Sequence, residues 1–312
     1  MRSAAAALLA ALDGAQLKLA ALPFAAAGAR RWLEYRPLRR PGACVAELGI
    51  AGRTAAFRLL ATGLSGHAYA QALGVVALEE VLDRREGGQL GRHMGDYWVS
   101  VFGDPDGGGP WSWRFEGHHL SVTMTVAGDE VSPGPVFLGA NPACVSYAGR
   151  PVSRPLAPEE DLARALLDAL GPSGRGAAVV ARQAPGDIRS GTSPRAAEGI
   201  APLGVAASRL GPGPRAALGQ LVGLYLDRLP ASLAAREAAR IAAADLHFAW
   251  EGPVTPGTRH YYRVQGDDLL IEYDNTTDDG NHAHTVLRRP RSDFGEDILA
   301  EHHREERHAG NR

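Results

Sequence analysis

Residues 261–275 read YYRVQGDDLLIEYDN, and residues 281–284 read NHAH. Aromatic, branched and polar positions on either side of Gly266 predict two strands, near 259–265 and 268–274, that turn or bulge at the glycine. In an extended chain successive side chains point to opposite faces. Glu272 and Asp274 then share one face, and His282 and His284 share one face of a further strand near 282–288. A hairpin brings the two faces together. Carboxylate plus imidazole is the donor chemistry that a divalent metal ion takes.

A similar passage stands earlier. Residues 113–124 read WRFEGHHLSVTM, against YRVQGDDLLIEY at 262–273. Arg114 falls on Arg263, Gly117 on Gly266, Leu120 on Leu269, and His118 and His119 on Asp267 and Asp268. Trp111 and Trp113 precede the first arginine as Tyr261 and Tyr262 precede the second. The apolar stretches at 8–14 and 49–64 have counterparts at 166–171 and 199–226. These echoes predict two divergent repeats, 1–150 and 151–312, packed as one globular unit.

Periodicity predicts helices near 4–21, 52–63, 68–86, 158–170, 213–228, 231–244 and 293–307, the last capped by Ser292. On the helix near 68–86, Leu73, Val76, Val81 and Leu82 form the apolar face, with Glu79 and Glu80 turned outward. Further strands are predicted near 97–102, 111–116, 118–127 and 245–250. Residues 185–204 are rich in Pro, Gly and Ser and form a loop or linker; 104–110 is a tight turn. The expected fold is α+β, with antiparallel sheets covered by helices.

The 312 residues are 45% hydrophobic and 22% charged, enough for a real core. A net charge of −2 provides no strongly basic face, which argues against a nucleic-acid partner. Arginine dominates over lysine. Cys44 and Cys144 have no Cys-x-x-Cys spacing and are expected as two small buried side chains rather than a disulfide. The apolar start, Ala4 to Ala11, is interrupted by Asp13, Gln16 and Lys18. It is expected as a retained amphipathic helix of a cytoplasmic protein, a short leader being the alternative. No run reaches the roughly 18 apolar residues of a membrane span.

The candidate metal ligands are His118, His119, Glu272, His282 and His284. His118 and His119 point to opposite faces of a strand, so one of them enters a given site. Two or three histidines with one carboxylate suit Fe, Cu or Zn, with positions left open for water, dioxygen or substrate. Ordinary hydrogen-bonded histidines on a sheet are the competing explanation. Arg114, Arg263 and Arg288 are candidates for clamping a substrate carboxylate; structural ion pairs with Glu116, Asp274 or Asp293 are the alternative. His302, His303 and His308 are expected on a solvated helix face, with His303 a lesser candidate ligand.

Taken together, the blocks FGDP at 102–105, WRFEGHHL at 113–120, FLGANP at 137–142, YYR at 261–263, IEYDN at 271–275, NHAH at 281–284 and DFGEDIL at 293–299 resemble the domain of unknown function 3500 family. Arg31-Trp32 and Tyr35-Arg36-Pro37 with Arg39 fit its first block. The resemblance covers nearly the whole chain and implies a single unit without a cleaved leader. It carries no assigned activity. Where the family pattern has Arg-Asp-Pro, this chain has Arg288-Arg289-Pro290, which puts charge pairing there in doubt.

The function expected from these residues is a metal-dependent enzyme on a small organic or peptide-like substrate. Oxidative chemistry is slightly favoured, because histidines with one carboxylate resemble a facial triad. A metal-dependent hydrolase and a non-enzymatic small-ligand-binding protein are the alternatives.

Overall fold

The computed structural model describes residues 1–88, 92–196, 200–241 and 245–309, with side chains up to His302. Eight strands carry the fold: β1 (Tyr97–Phe102), β2 (Trp111–Gly117), β3 (Leu120–Ala127), β4 (Glu130–Ala140), β5 (His247–Glu251), β6 (Tyr261–Gln265), β7 (Leu270–Thr277) and β8 (His282–Arg288). With four short edge pieces they form one twelve-stranded sheet among the described residues. Its central order is β1-β2-β3-β4-β8-β7-β6-β5, and every pairing along that path is antiparallel. The expected antiparallel sheets are thus one continuous sheet, joined where β4 pairs β8 with Leu138 opposite Thr285.

Alternation divides this sheet into two unlike faces. Trp113, Phe115, Leu138, Tyr262, Ile271, Tyr273 and Leu287 point into the main core. Buried residues of the helices Arg2–Ala10, Ile50–Gly63, Gly66–Glu86, Ala157–Ala169, Pro212–Leu226 and Ala231–Ile241 pack there. Burying one large apolar side chain is worth about 1.5–3 kcal/mol, so this face dominates stability. The opposite face is polar: Arg114, Glu116, Arg263, Glu272, Asp274, His284 and Arg288 are all buried on it. Irregular chain covers that face, anchored in a small cluster of Leu33, Tyr35, Phe137, Ile188, Val286 and Phe294.

Several local expectations are corrected. The helix expected near 4–21 is two helices, Arg2–Ala10 and Gly14–Ala20, split where Asp13 and Gln16 form a reciprocal cap. The strand β4 went unexpected because Pro133, Gly134 and Pro135 interrupt it; opposite them the β3 register shifts between Val122 and Met124. Ser292 stands at the N-cap of the 3-10 turn Asp293–Gly295, but its hydroxyl makes no cap bond and donates to Asp268. Cys44 and Cys144 are free thiols, the first buried and the second half-buried. No described helix is long and apolar enough to cross a membrane.

Candidate metal centre

Among the described residues, three overlapping sets of donors each have their ligand atoms within 4.8 Å of one another: His119, His282 and His284; Glu79, His118 and His119; and Asp187, Asp274 and His284. The sequence positions that build them are far apart. His118 and His119 form the turn between β2 and β3, and His119 holds a positive φ of 60°. That turn, rather than a strand, brings both rings to one side with centroids 3.6 Å apart. The expectation that they face opposite ways is corrected on this ground. His282 opens β8, and His284 lies directly opposite Asp274 of β7.

His119, His282 and His284 converge, as expected. His119 Nε2 and His282 Nε2 are 2.8 Å apart, and the rings of His282 and His284 meet edge-on with centroids at 4.6 Å. Each of these imidazoles has Nδ1 on a carboxylate. His119 Nδ1 lies 2.8 Å from Glu79, His282 Nδ1 3.2 Å from Asp278, and His284 Nδ1 2.9 Å from Asp187. A metal-ligating histidine characteristically donates its other N–H in this way, which fixes the tautomer and aims the lone pair. Asn141 offers His282 a second arrangement: its amide can donate to His282 Nδ1 at 3.3 Å, leaving Nε2–H to bridge to His119. A proton or a cation can therefore lie between the two Nε2 atoms.

Electrostatics differ across the cluster. Burial, with His282 and His284 nearby, pushes His119 well below its usual range. Burial takes His282 to about 4, and burial with the adjacent His119 takes His118 to about 3. Burial acts against His284 too, but Asp274 and Asp187 outweigh it and hold that imidazole at about 9. Neutral imidazoles at pH 7 are ready metal ligands; His284 must release a proton to join them.

Two expected ligands fall elsewhere. Glu272 belongs to none of the three sets among the described residues. Its carboxylate is consumed by the Arg189 and Ser190 backbone N–H groups and by the Tyr261 hydroxyl at 2.8 Å. His118 shares Glu79 with His119 but stands outside the three-histidine set. Glu79, expected on the solvated side of its helix, is 1% exposed and accepts from both histidines. Its helix buries Ala68, Ala72, Val75, Leu78 and Leu82, while Leu73 and Val81 are exposed, so the stripe 68-72-75-79-82 was the available signal. Asp187 was read as part of a linker.

Each of the three candidate substrate arginines has a buried carboxylate partner. Arg114 pairs with Glu116 at 2.6 Å and donates to the Ala29 and Arg30 carbonyls. Arg263 pairs with Glu251 at 3.3 Å, and Arg288 with Asp293 at 2.7 Å. All three are buried. Arg289, in the variant Arg-Arg-Pro, is paired with Glu237, Asp268 and Asp297. His302 lies in none of the donor sets, and the side chains of His303 and His308 lie outside the described residues.

An open cleft of about 710 Å³ is lined by Arg182, Pro185, Gly186, Thr258, Arg259, Thr276 and Asp279 among others, and by none of the donor residues. Thr276 donates its hydroxyl to Asp274 at 2.9 Å, and Gly186 precedes Asp187 in the chain. A separate apolar cavity, between Val136, Leu226, Leu269 and Leu287, contains none of these histidines.

Neither the curated proteins nor the solved structures contain a match to this chain. A family model does match, over residues 1–296, and it spans every element that builds the donor cluster. The chain therefore belongs to the family described as protein of unknown function (DUF3500).

Proposed function

We propose that the protein is a metal-dependent enzyme whose ion is held by Nε2 of His119, His282 and His284. The observation that carries this is the convergence of three imidazoles, each with Nδ1 on a carboxylate. The ion would supply an activated water if zinc, or oxidative chemistry if copper or iron. With Glu272 engaged elsewhere, the inner set is three histidines rather than a two-histidine, one-carboxylate triad. That removes the basis for favouring oxidation, and zinc-dependent hydrolysis becomes the first chemistry to assay. Glu79, Asp278 and Asp187 orient the imidazoles by accepting Nδ1–H. A small organic or peptide-like substrate is received in the cleft beside Thr276 and Gly186.

The test is metal content by elemental mass spectrometry on untagged protein, beside a His282→Ala/His284→Ala double variant. About one ion per chain in the wild type, lost from the folded variant, is the expected result, and its identity selects hydrolytic or oxidative assays. A folded wild type that carries no ion and takes up none on reconstitution would replace the enzyme with a small-ligand-binding protein.

We also infer that the two halves are divergent repeats. Support comes from recurring order and pairing. Ala43–Cys44 pairs antiparallel with β1, and Val205–Ala206 pairs likewise with β5. Each is followed by a 3-10 turn and a helix, N-capped by Gly49 or Gly211 in matching conformation. Ala21–Leu22 and Val179–Ala181 run parallel to the same two strands.

A further inference from the structure

We propose that Asp187, Asp274 and His284 form a second cation site, so that the centre holds two divalent ions sharing His284. The proposal deepens the three-histidine reading and uses the opposite nitrogen of that ring.

The first observation is geometric. His284 Nδ1 is 2.9 Å from Asp187 Oδ1 and 3.4 Å from Asp274 Oδ2. Donors about 2.0–2.2 Å from one ion, at angles between a right angle and a tetrahedral one, lie about 2.8–3.6 Å apart. Both separations fall in that range.

The second observation is an unsatisfied oxygen. Asp274 is 1% exposed, and its Oδ2 makes no hydrogen bond among the described residues, its one charged neighbour being His284 Nδ1 at 3.4 Å. Its other oxygen is saturated by the Thr276 N–H and hydroxyl. A buried carboxylate oxygen left in this state costs stability unless a positive charge faces it. A proton on His284 gives the triad a net charge of −1. In the two-ion state His284 is an imidazolate, so the three donors carry −3 against +4 from the two divalent ions.

The third observation is support and access. Tyr35 donates to Asp187 Oδ2 at 2.8 Å while its ring stacks on Phe137 at 4.3 Å, which fixes the carboxylate. The Asp187 side chain is 43% exposed, so an ion can enter without opening the core. With both ions bound, His284 presents Nε2 to one and Nδ1 to the other. Its N–H proton is released to solvent as the second ion binds.

Chelator-stripped protein is titrated with Zn(II), and separately with Mn(II), then desalted and measured by elemental mass spectrometry. Two zinc ions per chain are expected for the wild type, one for Asp274→Asn, one for Asp187→Asn and one for His119→Ala. Circular dichroism checks that each variant is folded; if Asp274→Asn is not, the half-exposed Asp187→Asn decides. The proposal is overturned if both aspartate variants keep the wild-type stoichiometry, and the three-histidine site then stands alone provided His119→Ala loses an ion. A single wild-type ion, kept by His119→Ala and lost by Asp274→Asn, supports this site and overturns the other. Absence of binding in folded wild type overturns both.

Discussion

Replacing Gly139 by alanine tests whether the histidine rings are held where an ion needs them. Gly139 lies on β4, opposite His284 of β8, and its N–H donates to the His119 carbonyl at 2.7 Å. A Cβ there would stand 2.8 Å from His119 Cδ2, 3.1 Å from His284 Cδ2 and 3.1 Å from the Ala283 carbonyl oxygen. Ordinary contact begins near 3.4 Å, so the rings must retreat by 3.4 − 2.8 = 0.6 Å and 3.4 − 3.1 = 0.3 Å. The backbone at Gly139 is not left-handed, so alanine meets only this steric conflict. Overpacking of this kind costs about 1–3 kcal/mol, partly offset by the stiffer unfolded chain. Ligand geometry tolerates only about 0.5 Å, so zinc affinity should fall at least tenfold while the protein stays folded. Competition with a chromophoric chelator measures the affinity, and urea unfolding of the metal-free protein measures the stability. Wild-type affinity in the alanine variant would refute the reasoning. So would a stability loss far beyond about 3 kcal/mol, because the defect would then lie in the strand rather than in the rings.

Glu79→Gln keeps the shape but removes the charge shared by His118 and His119; zinc affinity should fall about 10–100-fold, read by the same competition. Asp293→Asn strands the buried Arg288 guanidinium and should cost about 3–5 kcal/mol in urea unfolding without changing metal stoichiometry. His260 is buried against Trp250 and held at about 4 by burial, below its unfolded value near 6.5. The unfolded chain therefore takes the proton first, and stability is full above about pH 6.5 and lost as pH falls towards 4. That group alone accounts for about 3 kcal/mol. The loss between pH 7 and 4.5 should be smaller in His260→Phe, measured by urea midpoints.

Strands with plain alternation were legible: β2, β3, β6, β7 and β8 all lie where their patterns place them. His282 and His284 were legible from a period of two, whereas His119 reaches them from a turn that this period does not describe. Glu272 has the right face and the wrong depth along it. It pairs across β8 with Val286, whereas Asp274, one step further along the same face, lies opposite His284. Glu79 and Asp187 were illegible for different reasons. The glutamate sits on a stripe that begins with Ala68 and Ala72, where small residues give a weak signal. The aspartate reaches His284 across 97 residues from an irregular segment, and no local pattern encodes such a contact. The arginines looked functional because buried charge and substrate-binding charge use the same residue types.

The position of β8 also governs how the protein is made. It is the last strand in chain order, yet it lies in the middle of the sheet, between β4 and β7. Until residues 282–288 have left the ribosome, two long strands wait with open edges, and each can pair with another chain. Insertion of β8 closes both edges in the same event that delivers His282 and His284. Metal uptake would then wait for β8, and nascent chains stalled before it would be the population most exposed to aggregation.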